Sequence, residues 1–263
     1  MTYRKALMSL AAIVTRLRAA GCVFAEDEAR LLAAAAPDPA ELARLVERRA
    51  AGEPLEHVLG WARFRGLRIQ VDPGVFVPRP RTEFLAEQAI AAAPGPAAVV
   101  VDLCCGSGAL GAALVAALGE VELHASDIDP AAVACARRNL PGARVYEGDL
   151  FDPLPAGLRG RVDLLLANVP YVPTGEIPLL PAEARLHEAR VALDGGGDGL
   201  EVLRRVAASA GRWLAPPAVT CSSRPAAEQA AHAVEAIARH GLTPRVAHSG
   251  DWDATVLIAT RQA

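Results

Sequence analysis

The sequence predicts an α/β fold: an open, largely parallel sheet of seven strands, preceded by a small helical domain and a hairpin connection. Three observations carry that expectation. From residue 99 onward, short apolar runs alternate with helical patterns, the order expected of a parallel sheet covered by helices. The first of those runs, Val99-Val100-Val101-Asp102-Leu103, enters a glycine-containing turn and then a helix, the layout of Rossmann-like sheets. Before residue 60, by contrast, apolar residues recur at helical spacing. A chain of 263 residues is long enough for one large and one small domain. The boundaries expected are 1–60 for the helical unit, 61–80 for the hairpin connection and 81–263 for the domain that holds the sheet.

In chain order, Leu7, Leu10, Ile13, Val14 and Leu17 mark a first helix, and a second spans about Ala25 to Ala36. Asp38-Pro39 supplies an N-cap and a first-turn proline for a third, which ends near Gly52. Ala62 to Val71 alternates as a hairpin about Arg65-Gly66. Thr82 to Ala93 predicts a helix leading to the sheet. Strands at 99–103, 121–126, 143–147 and 162–167 are separated by helices at 109–118 and 131–139. The last third predicts a strand from Pro217 to Ser223, helices at 199–213 and 226–240, and a strand pair at 245–249 and 254–259.

Composition bounds the function. Hydrophobic content of 52% with 22% charged residues describes a globular protein, and no apolar run approaches the roughly 18 residues of a membrane span. Neither a signal peptide nor a membrane segment is expected, so the reading is cytoplasmic and without membrane contact. The net charge is −3. Residues 1–88 carry 13 Arg and Lys against 11 Asp and Glu, and the remainder is acidic. That balance lacks the basic footprint of a DNA binder, and no DNA partner is expected. Five cysteines, at 22, 104, 105, 135 and 221, are odd in number and lack metal-ligand spacing with one another or with the six histidines. Reduced thiols and no metal site follow. A monomer is expected.

Candidate ligand-binding residues stand at the ends of successive strands, where ligands of open α/β sheets bind. The turn Cys104-Cys105-Gly106-Ser107-Gly108 allows close backbone approach, and the helix after it favours an anionic group. Gly106, Gly108 and Gly111 spell G-x-G-x-x-G, so a dinucleotide-binding domain is the competing reading. Asp102 opposes it: it sits within a strand expected to be apolar, where a carboxylate suits a ligand bearing an ammonium group. Asp127 follows the second strand, 19 residues after Gly108, in the usual place for a carboxylate that accepts from ribose hydroxyls. Asp129-Pro130 reads as a helix cap. Asp149 closes the third strand, placed to accept from an adenine amino group with Leu150 against the ring. Asn168-Val169-Pro170-Tyr171 ends the fourth. That tetrapeptide suits a planar acceptor with an NH₂ group: the Asn168 oxygen and the Val169 carbonyl each accept one N–H, and Tyr171 offers a flat face.

The order Asp-Leu-x-x-Gly-Ser-Gly, Ser-Asp-Ile-Asp-Pro, Gly-Asp-Leu-Phe and Asn-x-Pro-Tyr resembles the class I methyltransferases. Within them it resembles the HemK-type protein-(glutamine-N5) methyltransferases. Gly52-Glu53-Pro54-Leu55-Glu56-His57-Val58-Leu59-Gly60 and Val77-Pro78-Arg79-Pro80-Arg81-Thr82-Glu83 are similar to that family's interdomain segments. Ala192 to Leu200 is similar to its glycine-rich loop. The resemblance implies S-adenosylmethionine held by Asp102, Cys104, Cys105, Gly106, Ser107, Gly108, Asp127, Ile128, Asp149, Leu150 and Asn168, with Phe76, Pro78 and Arg79 closing over it. It implies methylation of a glutamine side-chain amide on an exposed loop of a protein such as a peptide chain release factor, with Asn168, Val169, Pro170 and Tyr171 as the catalytic residues. This chain departs from the family pattern at Val169 and Ala189, where prolines are usual, at Arg81, where an acid is usual, and at Cys104, a frequent glycine. Two other readings stay open: an N-methyltransferase of adenine or of a small amine or amide, and a non-catalytic S-adenosylmethionine-binding module.

Overall fold

A computed structural model describes residues 9–223 and 229–262. Four helices come first: α1 (Leu10–Ala19), α2 (Ala25–Ala35), α3 (Pro39–Ala50) and the short α4 (Leu55–Leu59). Their shared core is Ile13, Leu17, Leu32, Leu45, Val46 and Val58, residues that helical spacing puts on one side of each helix. Asp38 caps α3 by accepting from the Ala40 and Glu41 amides at 2.8 and 2.9 Å. The sequence reading missed α4, whose single turn falls within the stretch read as a connector; helices so short are decided by tertiary contacts. His57 on α4 is buried and its Nε2 lies 2.8 Å from the Val75 carbonyl, tying the helices to the segment after the hairpin.

The hairpin pairs β1 (Trp61–Phe64) with β2 (Leu67–Gln70). Its two-residue loop, Arg65-Gly66, has both residues at positive φ (46° and 77°), the turn that matches the twist of paired strands. Helix α5 (Thr82–Ala92) follows. The sheet is then built from β3 (Val99–Leu103), α6 (Ala109–Leu118), β4 (Glu122–Asp127), α7 (Pro130–Asn139), β5 (Arg144–Glu147) and β6 (Val162–Ala167). Helix α8 (Ala182–His187), α9 (Glu201–Ala210), β7 (Leu214–Ser223), α10 (Ala230–Ala238), β8 (Thr243–Ser249) and β9 (Ala254–Arg261) complete it. Strand order is β5-β4-β3-β6-β7-β9-β8. The first five run parallel and β9 is antiparallel to both its neighbours. The expected seven-stranded α/β sheet is therefore present. The helix expected at 226–240 is α10, and residues 226–228 of that expectation lie outside the described residues.

Two apolar layers hold the sheet. Val100, Leu164 and Leu166 face α5, α6 and α7, while Val101, Leu103, Leu165 and Ala167 face α9 and α10. Central strands buried on both faces explain why 99–103 and 162–167 read as continuous apolar runs rather than alternating ones. Successive strands are added on one side of β3 as far as β5 and then, from β6, on its other side; this switch of strand order between parallel neighbours opens a crevice at their carboxyl ends.

Candidate active site

A cavity of about 430 Å³ occupies that crevice. Phe76, Pro78 and Arg79 line it from the segment before α5; Cys104, Cys105, Gly106 and Ser107 from the turn after β3; Asp127 and Ile128 from the end of β4. Asp149 and Leu150 line it after β5, and Asn168, Val169, Pro170 and Tyr171 after β6. Thus every residue expected to hold the cofactor or to act on the acceptor lines the cavity except Asp102 and Gly108. Gly108 lies at φ +79°, and a Cβ on it would come within 2.9 Å of Leu140, so it serves close approach of α6 to α7.

Asp102 sits elsewhere than the sequence suggests. It is fully buried behind the glycine turn, and its Oδ2 accepts from the Gly111 amide of α6 at 3.2 Å. Among the described residues its Oδ1 has no hydrogen-bond partner. Burial pushes its carboxyl up to about 7, with the Gly111 N–H opposing and the Asp127 charge adding to the shift. An alternating strand puts residue 102 on the α6 side, away from its neighbours Val101 and Leu103.

Asp127 shapes the turn as well as the cavity wall. One oxygen accepts from the Gly106 amide at 2.8 Å, the other from the Asp129 amide at 2.9 Å. Burial raises its carboxyl, and these two N–H groups offset only part of that rise. Cys104 adopts φ +53°, a left-handed conformation that explains why glycine is frequent at this position in the resembling family. Burial drives the Cys104 and Cys105 thiols well above their usual range, next to the Asp127 and Asp102 charges, so both are protonated turn residues and not nucleophiles.

On the other wall, Asn168 is half-buried, and no described residue hydrogen-bonds its side chain. Val169 is 3% exposed and packs into the core, whereas Tyr171 is 39% exposed at the cavity. The glycine-rich loop fixes the chain beyond them. Val172 donates to the Leu193 carbonyl (3.1 Å), Gly195 to Val172 (2.8 Å) and Thr174 to Gly196 (2.9 Å). A Cβ on Gly199 would stand 2.3 Å from the Tyr171 carbonyl oxygen, and one on Gly195 would stand 2.8 Å from that of Pro170. Only glycine lets the two segments lie this close.

Three contacts at the site had no signal in the sequence. Arg205 of α9 pairs with Asp149, so the carboxylate expected to accept from adenine is shared with a guanidinium. Glu188 is buried and accepts from Arg79 with both oxygens at 2.7 Å. Arg49 of α3 donates to Glu183 of α8 at 2.6 Å and also holds Glu28. The partners are 56, 109 and 134 residues apart, beyond what spacing arguments reach. Among the described residues no cluster of His, Cys, Asp and Glu could hold a metal ion, and no helix is long and apolar enough to cross a membrane.

A strand-end crevice with a glycine turn, a carboxylate on the following strand and an Asn-x-Pro-Tyr loop defines the methyltransferase type of α/β site. Residues 66–210 match the family model described as the methyltransferase small domain, and the chain belongs to that family. It is 43% identical over 180 residues to a protein of Streptomyces coelicolor named release factor glutamine methyltransferase, a match that covers 66% of this chain and 64% of that protein. It is 38% identical over 193 residues to a Streptomyces pristinaespiralis protein named 4-amino-L-phenylalanine/4-methylamino-L-phenylalanine methyltransferase, covering 70% of this chain and 65% of that one. The fold is similar to a crystal structure of a methyltransferase from Pyrococcus furiosus, with a TM-score of 0.57 at 17% identity, covering 86% of this chain and all of that one.

The family's cofactor is S-adenosylmethionine. The residues present fit it. The cavity volume falls within the roughly 300–1,000 Å³ usual for small-ligand sites. Gly106 has open space where a Cβ would project, leaving its backbone approachable, and Asp127 puts a carboxylate beside it.

Proposed function

We propose that this chain transfers the methyl group of S-adenosylmethionine to a side-chain amide nitrogen, the N5 of a glutamine in a protein such as a peptide chain release factor. The observation that carries the reading is Asn168: a half-buried amide on the cavity wall with no described partner of its own, next to Tyr171 and on the same cavity as Asp127. The name of the Streptomyces coelicolor relative supports the choice of acceptor. In this reading Asp127 holds the ribose hydroxyls, Asp149 and Leu150 the adenine, and the turn at Cys104–Gly108 the amino-acid end. The bound cofactor supplies an electrophilic methyl group on a sulfonium sulfur.

An amide nitrogen is a weak nucleophile because its lone pair is delocalised into the carbonyl. Asn168 Oδ1 and the Val169 carbonyl accept its two N–H bonds and aim the nitrogen in line with the methyl carbon; positioning of this kind supplies on the order of 7–11 kcal/mol of a barrier. Transfer would form the N–C bond at the expense of the cofactor's C–S bond, and the electron pair of that bond would stay with sulfur. The nitrogen turns tetrahedral and positive, and the same two oxygens stabilise that charge. One N–H proton then passes to water. Tyr171 packs on the amide plane. The helices before residue 61 dock the acceptor protein, and the Arg49–Glu183 contact joins them to α8 at the cavity. A second reading, methylation of a small aromatic amine, is favoured by the Streptomyces pristinaespiralis relative; an arylamine NH₂ presents the same two donors to Asn168 and Val169. Incubating the chain and cofactor with a release factor in one arm and 4-amino-L-phenylalanine in the other, and weighing both products, separates the two. Mass gain on the release factor alone supports the proposal, and gain on the amine alone replaces it with the second reading.

A further inference from the structure

We infer that Glu188 is a positioning residue for the cofactor: through Arg79 it sets the Phe76 wall of the cavity. The inference rests on the cofactor reading of the cavity. Glu188 lies in the segment after α8 and lines no part of the cavity, yet its side chain is 1% exposed and fully engaged. Its Oε1 accepts from the Val77 amide at 3.1 Å, and both oxygens take the Arg79 guanidinium at 2.7 Å. Backbone contacts run alongside: Ala189 donates to the Gly74 carbonyl at 2.9 Å. Arg79 in turn lies over the Phe76 ring, 4.9 Å from its centroid, and both residues line the cavity. The order of contact is thus Glu188, Arg79, Phe76 and then the open cavity. Burial raises the Glu188 carboxyl and Arg79 opposes that shift, so each needs the other: without Arg79 the carboxylate is buried unpaired, and without Glu188 the guanidinium is free to swing away from the ring. A surface ion pair would contribute little. This one joins the segment before α5 to the segment after α8, two walls of one cavity.

Glu188→Gln isolates the effect, because a glutamine oxygen still accepts from Val77 while the charge facing Arg79 is gone. Calorimetric titration with S-adenosylhomocysteine reads it. The expected result is a Kd raised by about tenfold, the scale of one charge-assisted hydrogen bond, with the melting temperature held within a few degrees. Arg79→Met, at a half-exposed position, should weaken binding similarly, and the double variant should be no weaker than either single one, since both act on the same contact. A purely structural Glu188 would instead lower the melting temperature without that non-additivity. Wild-type affinity in Glu188→Gln, or additive losses in the double variant, would overturn the inference while leaving the cofactor reading intact. A wild-type chain that binds no S-adenosylhomocysteine would overturn both.

Discussion

Replacing Gly199 by alanine should disable the acceptor side of the site and leave the cofactor side working. Gly199 lies at φ +76°, and the added Cβ would fall 2.3 Å from the Tyr171 carbonyl oxygen and 2.5 Å from Gln229 Nε2. The glutamine end can rotate away; the Tyr171 backbone cannot move without dragging the tetrapeptide. Left-handed backbone in a non-glycine residue costs about 1–2 kcal/mol and overpacking about 1–3 kcal/mol, so a loss of roughly 2–5 kcal/mol is expected. At about 2–4 °C per kcal/mol for a chain of this size, the melting temperature should fall by at least about 4 °C. The strain reaches Asn168 through the Gly195–Val172 and Val172–Leu193 hydrogen bonds, whereas Gly106 and Asp127 stand on other strands. Thermal unfolding, S-adenosylhomocysteine titration and methylation rate on a release factor should therefore part company: lower stability, near-normal cofactor affinity and turnover down by tenfold or more, about 1.4 kcal/mol of barrier. A variant with normal stability and turnover would show that the glycine loop does not buttress the tetrapeptide.

Asp127→Ala removes the acceptor of the Gly106 and Asp129 amides together with the proposed ribose ligand, so cofactor affinity should fall by roughly 1.5–3 kcal/mol; unchanged calorimetric affinity would remove Asp127 from the binding site. Asn168→Ala should keep cofactor affinity and cut turnover by at least roughly a hundredfold, while Val169→Pro should be tolerated because only its carbonyl is used; a fully active Asn168→Ala would reduce the tetrapeptide to a turn. Asp102 gives a pH prediction. Its folded carboxyl is raised to about 7 from 3.8, so across that window the native state holds a proton the unfolded chain has lost. Stability from this group therefore falls as pH rises through the window, by at most about 1.4 kcal/mol per unit. Urea titrations should show Asp102→Asn flattening that slope relative to wild type; an identical slope in both would assign the dependence to other groups.

Much of this architecture was legible because it is locally encoded. Val99–Leu103 and Val162–Ala167 are buried on both faces and read as strands, and the Asp38-Pro39 and Asp129-Pro130 pairs announced helix starts that the caps bear out. The clustering of strand-end residues followed from topology, which brings carboxyl ends of neighbouring strands to one crevice. What was not legible depends on long-range partners. Nothing near Glu188 in sequence points to Arg79, and nothing near Asp149 points to Arg205. Helices α4 and α8, of five and six residues, are too short for a periodic signal. A carboxylate is unusual in a strand and so suggests that Asp102 faces the ligand; only the pleat and the position of α6 reveal that it faces Gly111.

The proposed role of Asn168 and Val169 is to present an amide nitrogen to the methyl donor. Its most direct test is tandem mass spectrometry of a release factor after incubation with the purified chain and S-adenosylmethionine. The expected product carries one methyl group, located on the side-chain nitrogen of a single loop glutamine and missing from the Asn168→Ala reaction. A release factor left unmodified by a chain that binds S-adenosylhomocysteine, or a methyl group on any other atom, would contradict it.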